Sequence, residues 1–228
     1  MALNFMGGWG DRVETDVEAA RRMQRSWQLI PQFPGVYSPW SLQQYPAGEL
    51  HLEPVAEGDL DAVVAAVHMV TERINDGPRS TPGYYLEFVR ERLDAPVAAG
   101  GPLLSYKVRC GFAGPRSVRN HLLMDADPAP SEQSLHEQLA ALVRAWEPEH
   151  VSVCDYAFHK AQKHKTPQVR IGWLTYIRDD VPLDLAKVPD EVAVEARDGG
   201  RYLMLSGTPG EPSLDQAMAL REALGYRR

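Results

Sequence analysis

"LLSYKVRCGF", residues 103–112, sets Leu104, Tyr106, Val108, Cys110 and Phe112 against Ser105, Lys107, Arg109 and Gly111. A period of two over ten residues predicts a half-buried strand, one face on a core and one in water. "YYLEFVRERL" upstream begins with the same alternation, and "SVRNHLLMD" downstream reads as a third strand. Gly114-Pro115 turns the chain between the last two, so an antiparallel meander is the economical arrangement.

Outward from the meander the period changes. "ETDVEAARRMQRSWQLIPQF" places Val17, Ala20, Met23 or Gln24, Trp27 and Ile30 at helical steps, and Pro31 marks the end. Its early acids and later arginines suit the helix dipole. "PGVYSPWSLQQYPAGELHLEP" then reads as a loop whose Tyr37, Trp40 and Tyr45 pack it onto the body, with an interface anchor as the alternative for each. "DLDAVVAAVHMVTERI" predicts a second helix, capped near Asp59 or Asp61, with a stripe through Leu60, Val63, Val64, Val67 and Ile74.

Downstream, "SEQSLHEQLAALVRAWEP" is the best-marked helix. Ser131 is its cap, Leu135, Leu139, Leu142 or Val143 and Trp146 its buried stripe, and Pro148 its stop. "HVSVCDYAF", "VRIGWLTYI", "VAVEA" and "YLMLS" follow as strands, the last two joined at Asp198-Gly199-Gly200. "SLDQAMALREALG" closes the pattern as a helix between Ser213 and Gly225. Strands in clusters, not alternating singly with helices, indicate an α+β fold with largely antiparallel sheet and flanking helices. The layout suggests two similar halves without a residue-level repeat, and no boundary divides residues 1–228.

The 228 residues are enough for a self-sufficient core, and 44% hydrophobic with 24% charged residues argues against disorder. A net charge of −7 opposes a phosphate backbone, so direct nucleic-acid binding is not expected, whereas association with a basic protein is favoured. Two cysteines, Cys110 and Cys154, support neither a disulfide framework nor a four-cysteine zinc site, and both read as buried free thiols. No secretory signal or membrane-length segment is present, so a cytoplasmic location is expected.

The motifs of hydrolases, phosphate-binding loops and zinc proteases are missing; "HEQLA" at 136–140 lacks the second histidine. His159 and His164 stand five apart, on different sides of a helix or strand, beside Lys160, Lys163 and Lys165 in what reads as an exposed basic loop. His68 lies beside an apolar stripe with no ligand partner one turn away. Asp125 and Asp127 lie at a strand end beside Pro128, where turns collect aspartates. In "PDEVAVEAR", Asp190 and Glu195 have opposite parity on one presumed strand and cannot clamp one metal, and Arg197 stands where metal-dependent nucleases carry lysine. No cofactor or metal is expected.

Several segments together resemble immunity protein family 52 of bacteria. They are the charged helix "ETDVEAARRMQRSW" and the loop at Trp40, then "YKVRCGFAGPRSVRNHLLMD" with Gly111 and Asn120 in the matching places. "LVRAWEPEHVSV", "IGWLTYI" and a C-terminal glycine-centred hairpin plus helix complete the order. The helix charges usual in that family are loosely matched by Glu14 and Arg21 or Arg22, for which a structural ion pair is the simplest account. The resemblance implies an antitoxin: a non-enzymatic protein that neutralises a toxin, often a restriction-endonuclease-like DNase, delivered between competing bacteria by routes such as type VI secretion. It brings no catalytic residue.

Residues 177–198, "IRDDVPLDLAKVPDEVAVEARD", carry seven carboxylates against three basic residues. Asp179, Asp180, Asp184, Asp190 and Glu191 form one candidate surface for a basic toxin. Glu49, Glu53 and Glu57, with Asp59 and Asp61, form a second, and no Lys or Arg falls within the span. Solvated loops are the plain alternative for each carboxylate. An enzyme with an unrecognised carboxylate or metal site and a general protein-interaction domain are the competing functions.

Overall fold

Burial alternates from Leu103 to Cys110, with Leu104, Tyr106, Val108 and Cys110 buried, and the alternation ends at Gly111, which is buried like Phe112. The computed structural model describes residues 2–31, 35–45, 48–75, 83–114, 120–127, 130–163, 165 and 168–226. Pro115, the start of the third expected strand at 117–119, Pro128 and His164 lie outside them. In chain order the elements begin β1 (Leu3–Trp9), α1 (Asp16–Leu29), β2 (Ser41–Gln44), β3 (His51–Pro54), α2 (Leu60–Asn75) and β4 (Tyr84–Glu91). Next come β5 (Leu103–Cys110), β6 (Asn120–Asp125), α3 (Glu132–Trp146), β7 (His150–Asp155), α4 (Tyr156–Ala161) and β8 (Leu174–Arg178). The last are β9 (Ala193–Arg197), β10 (Gly200–Met204), β11 (Gly207–Thr208), β12 (Glu211–Pro212) and α5 (Leu214–Ala223). The fold is α+β, and every strand pairing described below is antiparallel.

The chain forms two compact units, one of Gly10–Met124 and one of Met1–Trp9 with Asp125–Arg228. In the first, the strands run in the order β3-β2-β4-β5-β6. The meander holds over its length, with Tyr84 opposite Cys110 through Glu91 opposite Leu103, and Tyr106 opposite Met124 through Arg109 opposite His121. Thr15 caps α1 in a full capping box: its hydroxyl accepts from the Glu18 N–H at 3.2 Å, and Glu18 accepts from the Thr15 N–H at 2.7 Å. Met23, Trp27 and Ile30 go under the helix as expected. Trp27 meets the edge of Phe88 at 4.9 Å and stacks on Trp40 at 6.2 Å. On α2 the buried line is Val63, Ala66, Val67, Val70 and Thr71, and Ile74, expected in the stripe, is exposed.

The expected loop at 35–54 contains a hairpin. β2 and β3 pair from Ser41 opposite Pro54 to Gln44 opposite His51, and Tyr45, expected to pack inward, is 60% exposed. These strands are four residues long and mostly polar, too short and too little alternating for a periodic signal.

The second unit orders its strands β1-β7-β8-β10-β9. β1 lies where no strand was expected, paired with β7 from Leu3 opposite Asp155 to Gly8 opposite His150. Gly7 explains the close fit: a Cβ there would meet Val151 Cγ2 at 2.7 Å and the His150 carbonyl at 2.8 Å. α3 begins at Ser131, whose hydroxyl accepts from the Ser134 N–H at 3.1 Å. Trp146 at its other end stacks on Trp9 at 5.8 Å. β7 is buried at every residue and gives way at Tyr156 to α4, capped by Asp155, so "HVSVCDYAF" is strand then helix. β8, β10 and α5 enclose Ile171, Ile177, Leu203, Leu205, Ala217 and Leu220. Full burial of each Leu or Ile there contributes about 1.5–3 kcal/mol. Both units hold five main strands among the described residues, alike in content but not in the order of helices and strands.

Candidate functional site: exposed carboxylates on two units

The first unit's acidic surface is built on the β2–β3 hairpin and the start of α2. Four of its five acids are exposed: Glu49, Glu53, Asp59 and Asp61. Asp59 is committed to the helix start, where its Oδ1 accepts from the Asp61 N–H at 3.0 Å. Glu53 is hydrogen-bonded by the Gln44 amide across the hairpin. None of Glu49, Glu53 and Asp61 has a cationic partner among the described residues, so their charge faces outward undiminished. Tyr45 and Leu50, which close the described part of this hairpin, are both exposed. Met69 of α2, also exposed, lies 3.9 Å from Gln44 Nε2.

Glu57 does something different. It is half-buried, and its Oε1 accepts from the Trp40 N–H at 2.9 Å. Nearby, the buried Arg90 guanidinium lies over the rings of Tyr37 and Trp40, 4.1 and 4.6 Å from their centroids. Burial pulls Arg90 down to about 10, and the Glu57 charge opposes that shift. Glu57 therefore serves the fold, as do Tyr37 and Trp40.

On the second unit, Asp179, Asp180, Asp184, Asp190 and Glu191 are all exposed. Three of them are matched by a cation. Arg178 holds Asp180 by two bonds, Nε to Oδ1 at 2.6 Å and Nη2 to Oδ2 at 2.8 Å. Arg201 of the neighbouring strand reaches Asp179 at 3.2 Å, and Lys187 reaches Asp184 at 2.9 Å. The hydrogen bonds from Arg178 and Lys187 hold Asp180 and Asp184 below the usual carboxylate range. Asp190 and Glu191 have no cationic partner among the described residues and stand beside an exposed turn carrying Leu185. This surface is thus largely neutralised at short range.

The remaining sequence candidates fall apart as a site. His68 is exposed and bonded to Asp16 at 2.8 Å. Asp190 precedes β9 in a turn and Glu195 lies within the strand. Among the described residues no group of three or more His, Cys, Asp or Glu side chains is placed to hold a metal ion. Cys110 and Cys154 are free and buried, and burial raises both thiols, Cys154 to about 12. Among the described residues no helix is long and apolar enough to cross a membrane.

The residues behind the family resemblance have structural work. Asn120 is buried; its Nδ2 donates to the Gly10 carbonyl at 2.6 Å and the Phe112 carbonyl at 2.9 Å. Gly111 takes a φ of +76°, where a Cβ would also crowd Gly83 and Tyr84 at 3.3 Å. Glu14 is buried between Arg12 and Arg22, at 2.8 and 2.9 Å, so the ion pair expected with the helix arginines is present, with Arg12 as an additional partner.

No family model matches the chain, and no curated protein matches it. Among solved structures, the fold is similar to that of the Pseudomonas aeruginosa T6SS protein PA0821. The TM-score is 0.50 at 11% identity, covering 98% of this chain and 72% of that one. At that identity the likeness is one of fold.

Proposed function

We propose that this protein is an immunity protein, of the kind gathered in immunity protein family 52, that binds a basic toxin and blocks it without catalysing a reaction. The observation that carries this reading is the unpaired charge of Glu49 and Glu53 on the hairpin that exposes Tyr45 and Leu50, with Asp61 exposed at the start of α2. An aromatic anchor with an acidic surround suits a protein interface, where aromatic residues carry much of the energy and charge speeds the encounter. A nuclease toxin must present a basic cleft to its substrate, and an acidic surface is complementary to such a cleft. Fold likeness to a protein described as a T6SS protein is consistent with a role in interbacterial delivery systems. The producer cell's cytoplasm is where such an inhibitor acts.

The test is calorimetry between this protein and the toxin domain encoded beside it, at low and high salt, with a DNase assay in parallel. Tight one-to-one binding that weakens with salt and abolishes cleavage is expected. Failure to bind that partner would remove the antitoxin reading; tight binding indifferent to salt would keep the function and discard the acidic surface as its cause.

A further inference from the structure

A buried guanidinium without a carboxylate is costly. Arg221 of α5 is 4% exposed, and its contacts are neutral: Nη2 donates to Gln168 Oε1 at 2.8 Å, and the group lies 5.5 Å from the Tyr226 ring centroid. Its Nε and Nη1 are buried with no acceptor. Desolvation lowers its pKa, opposed by the Tyr226 phenol and by no carboxylate.

The same side chain lines a cavity of about 630 Å³ in the second unit. That lies inside the range of about 300–1,000 Å³ usual for small-molecule sites. Lys163 and Lys165, both exposed, complete a cationic lining. The buried Gln162 amide belongs to the wall; its Nε2 donates to the Ile171 carbonyl at 2.7 Å, while its Oε1 is left without a donor. No Asp or Glu lines the cavity among the described residues. In a chain of net charge −7, three cations around one hollow are not a reflection of composition.

We propose that this cavity binds a small organic phosphate. The exposed Lys163 and Lys165 take the oxyanion, whose charge offsets that of the Arg221 guanidinium in the same lining. Three cations suit a dianion better than a monocarboxylate. Inorganic phosphate alone would fill little of the volume. The site stands independently of the toxin-binding reading, since it uses none of the carboxylates on which that reading rests.

Calorimetry and thermal melting on the full chain, at matched ionic strength, test it with ribose 5-phosphate, adenosine monophosphate, inorganic phosphate, ribose and acetate. At least one of the two esters is expected to bind with a Kd below about 1 mM, about tenfold or more tighter than inorganic phosphate, and to raise Tm; ribose and acetate are expected not to bind. Lys163→Ala with Lys165→Ala removes two exposed side chains, so the variant folds as the parent does and is expected to bind that ester about tenfold more weakly. Absence of binding by both esters overturns the proposal, as does unchanged affinity in the double variant. Equal affinity for inorganic phosphate overturns the assignment to an organic ligand.

Discussion

Asn120 holds both backbone groups of Phe112: its Oδ1 accepts from the Phe112 N–H and its Nδ2 donates to the Phe112 carbonyl, each at 2.9 Å. The third bond, to the Gly10 carbonyl, ties the start of this unit to the same point. Asn120→Ala orphans the buried Phe112 N–H and removes one bond each from the Phe112 carbonyl, which keeps the Arg12 N–H at 3.2 Å, and the half-buried Gly10 carbonyl, so unfolding in urea is expected to show a loss of about 2 kcal/mol. A loss under about 1 kcal/mol would mean that water replaces the amide without difficulty.

Glu57 and Glu49 are close in sequence and opposite in expected effect. Glu57→Ala orphans the Trp40 N–H and removes the charge that offsets burial of Arg90. It is expected to lower stability by about 2 kcal/mol, whereas Glu49→Lys leaves stability within about 0.5 kcal/mol. Comparable destabilisation by both would contradict the division between a structural and a surface carboxylate.

On the proposed toxin-binding face, the two kinds of residue separate kinetically. Glu49→Lys combined with Asp61→Lys is expected to slow association and flatten its salt dependence. Tyr45→Ala is expected to speed dissociation by about tenfold or more, as removal of an aromatic anchor does. Stopped-flow or surface-binding kinetics with the toxin proposed as partner reads both, and unchanged rates in both variants would move the proposed interface elsewhere.

Thiol chemistry reports burial directly. The thiolate is the reactive form, and both Cys110 and Cys154 are buried with raised pKa values. Neither is expected to react with a disulfide reagent at pH 8 until denaturant is added, when both react. Rapid labelling of the native protein would show that one of these strands opens.

Alkaline pH should weaken the fold. The Cys154 thiol rises from 9.0 to about 12 and the Tyr176 phenol from 10.0 to about 12, in both cases first through desolvation. A raised folded pKa on an acid that is neutral when folded means the unfolded chain releases its proton first. The stabilisation is complete below pH 9 and is lost progressively between pH 9 and 12. Urea midpoints at pH 7, 9, 10 and 11 are expected to fall steadily above 9; a flat series would contradict the burial of both groups.

What was legible in the sequence was whatever repeats. Leu104 through Phe112 and the α3 stripe announce themselves because a period of two or of 3.6 persists for three or more repeats. β1 does not, because Gly7 and Gly8 interrupt its pattern, Gly7 at the place where β7 needs the space. Tyr45 looked like a packing residue because aromatics usually are; its exposure follows from a hairpin of two polar strands that leaves it at the end. The acids at 179–184 were visible, but their neutralisation was only partly so, since Arg201 reaches Asp179 from an adjacent strand rather than along the chain. Arg221 carried no signal at all, because an absent counter-charge is a property of three-dimensional surroundings.

β3 in the first unit and β9 in the second are each an end strand, with a neighbour on one side only among the described residues. β3 carries Glu53 and ends on Pro54, which has no N–H to give; β9 carries Glu195 and Arg197. Such borders discourage a second chain from continuing the sheet. Addition of a further strand at these borders is therefore disfavoured, and crowding the protein to high concentration should produce no fibrous stacking of one copy onto the next.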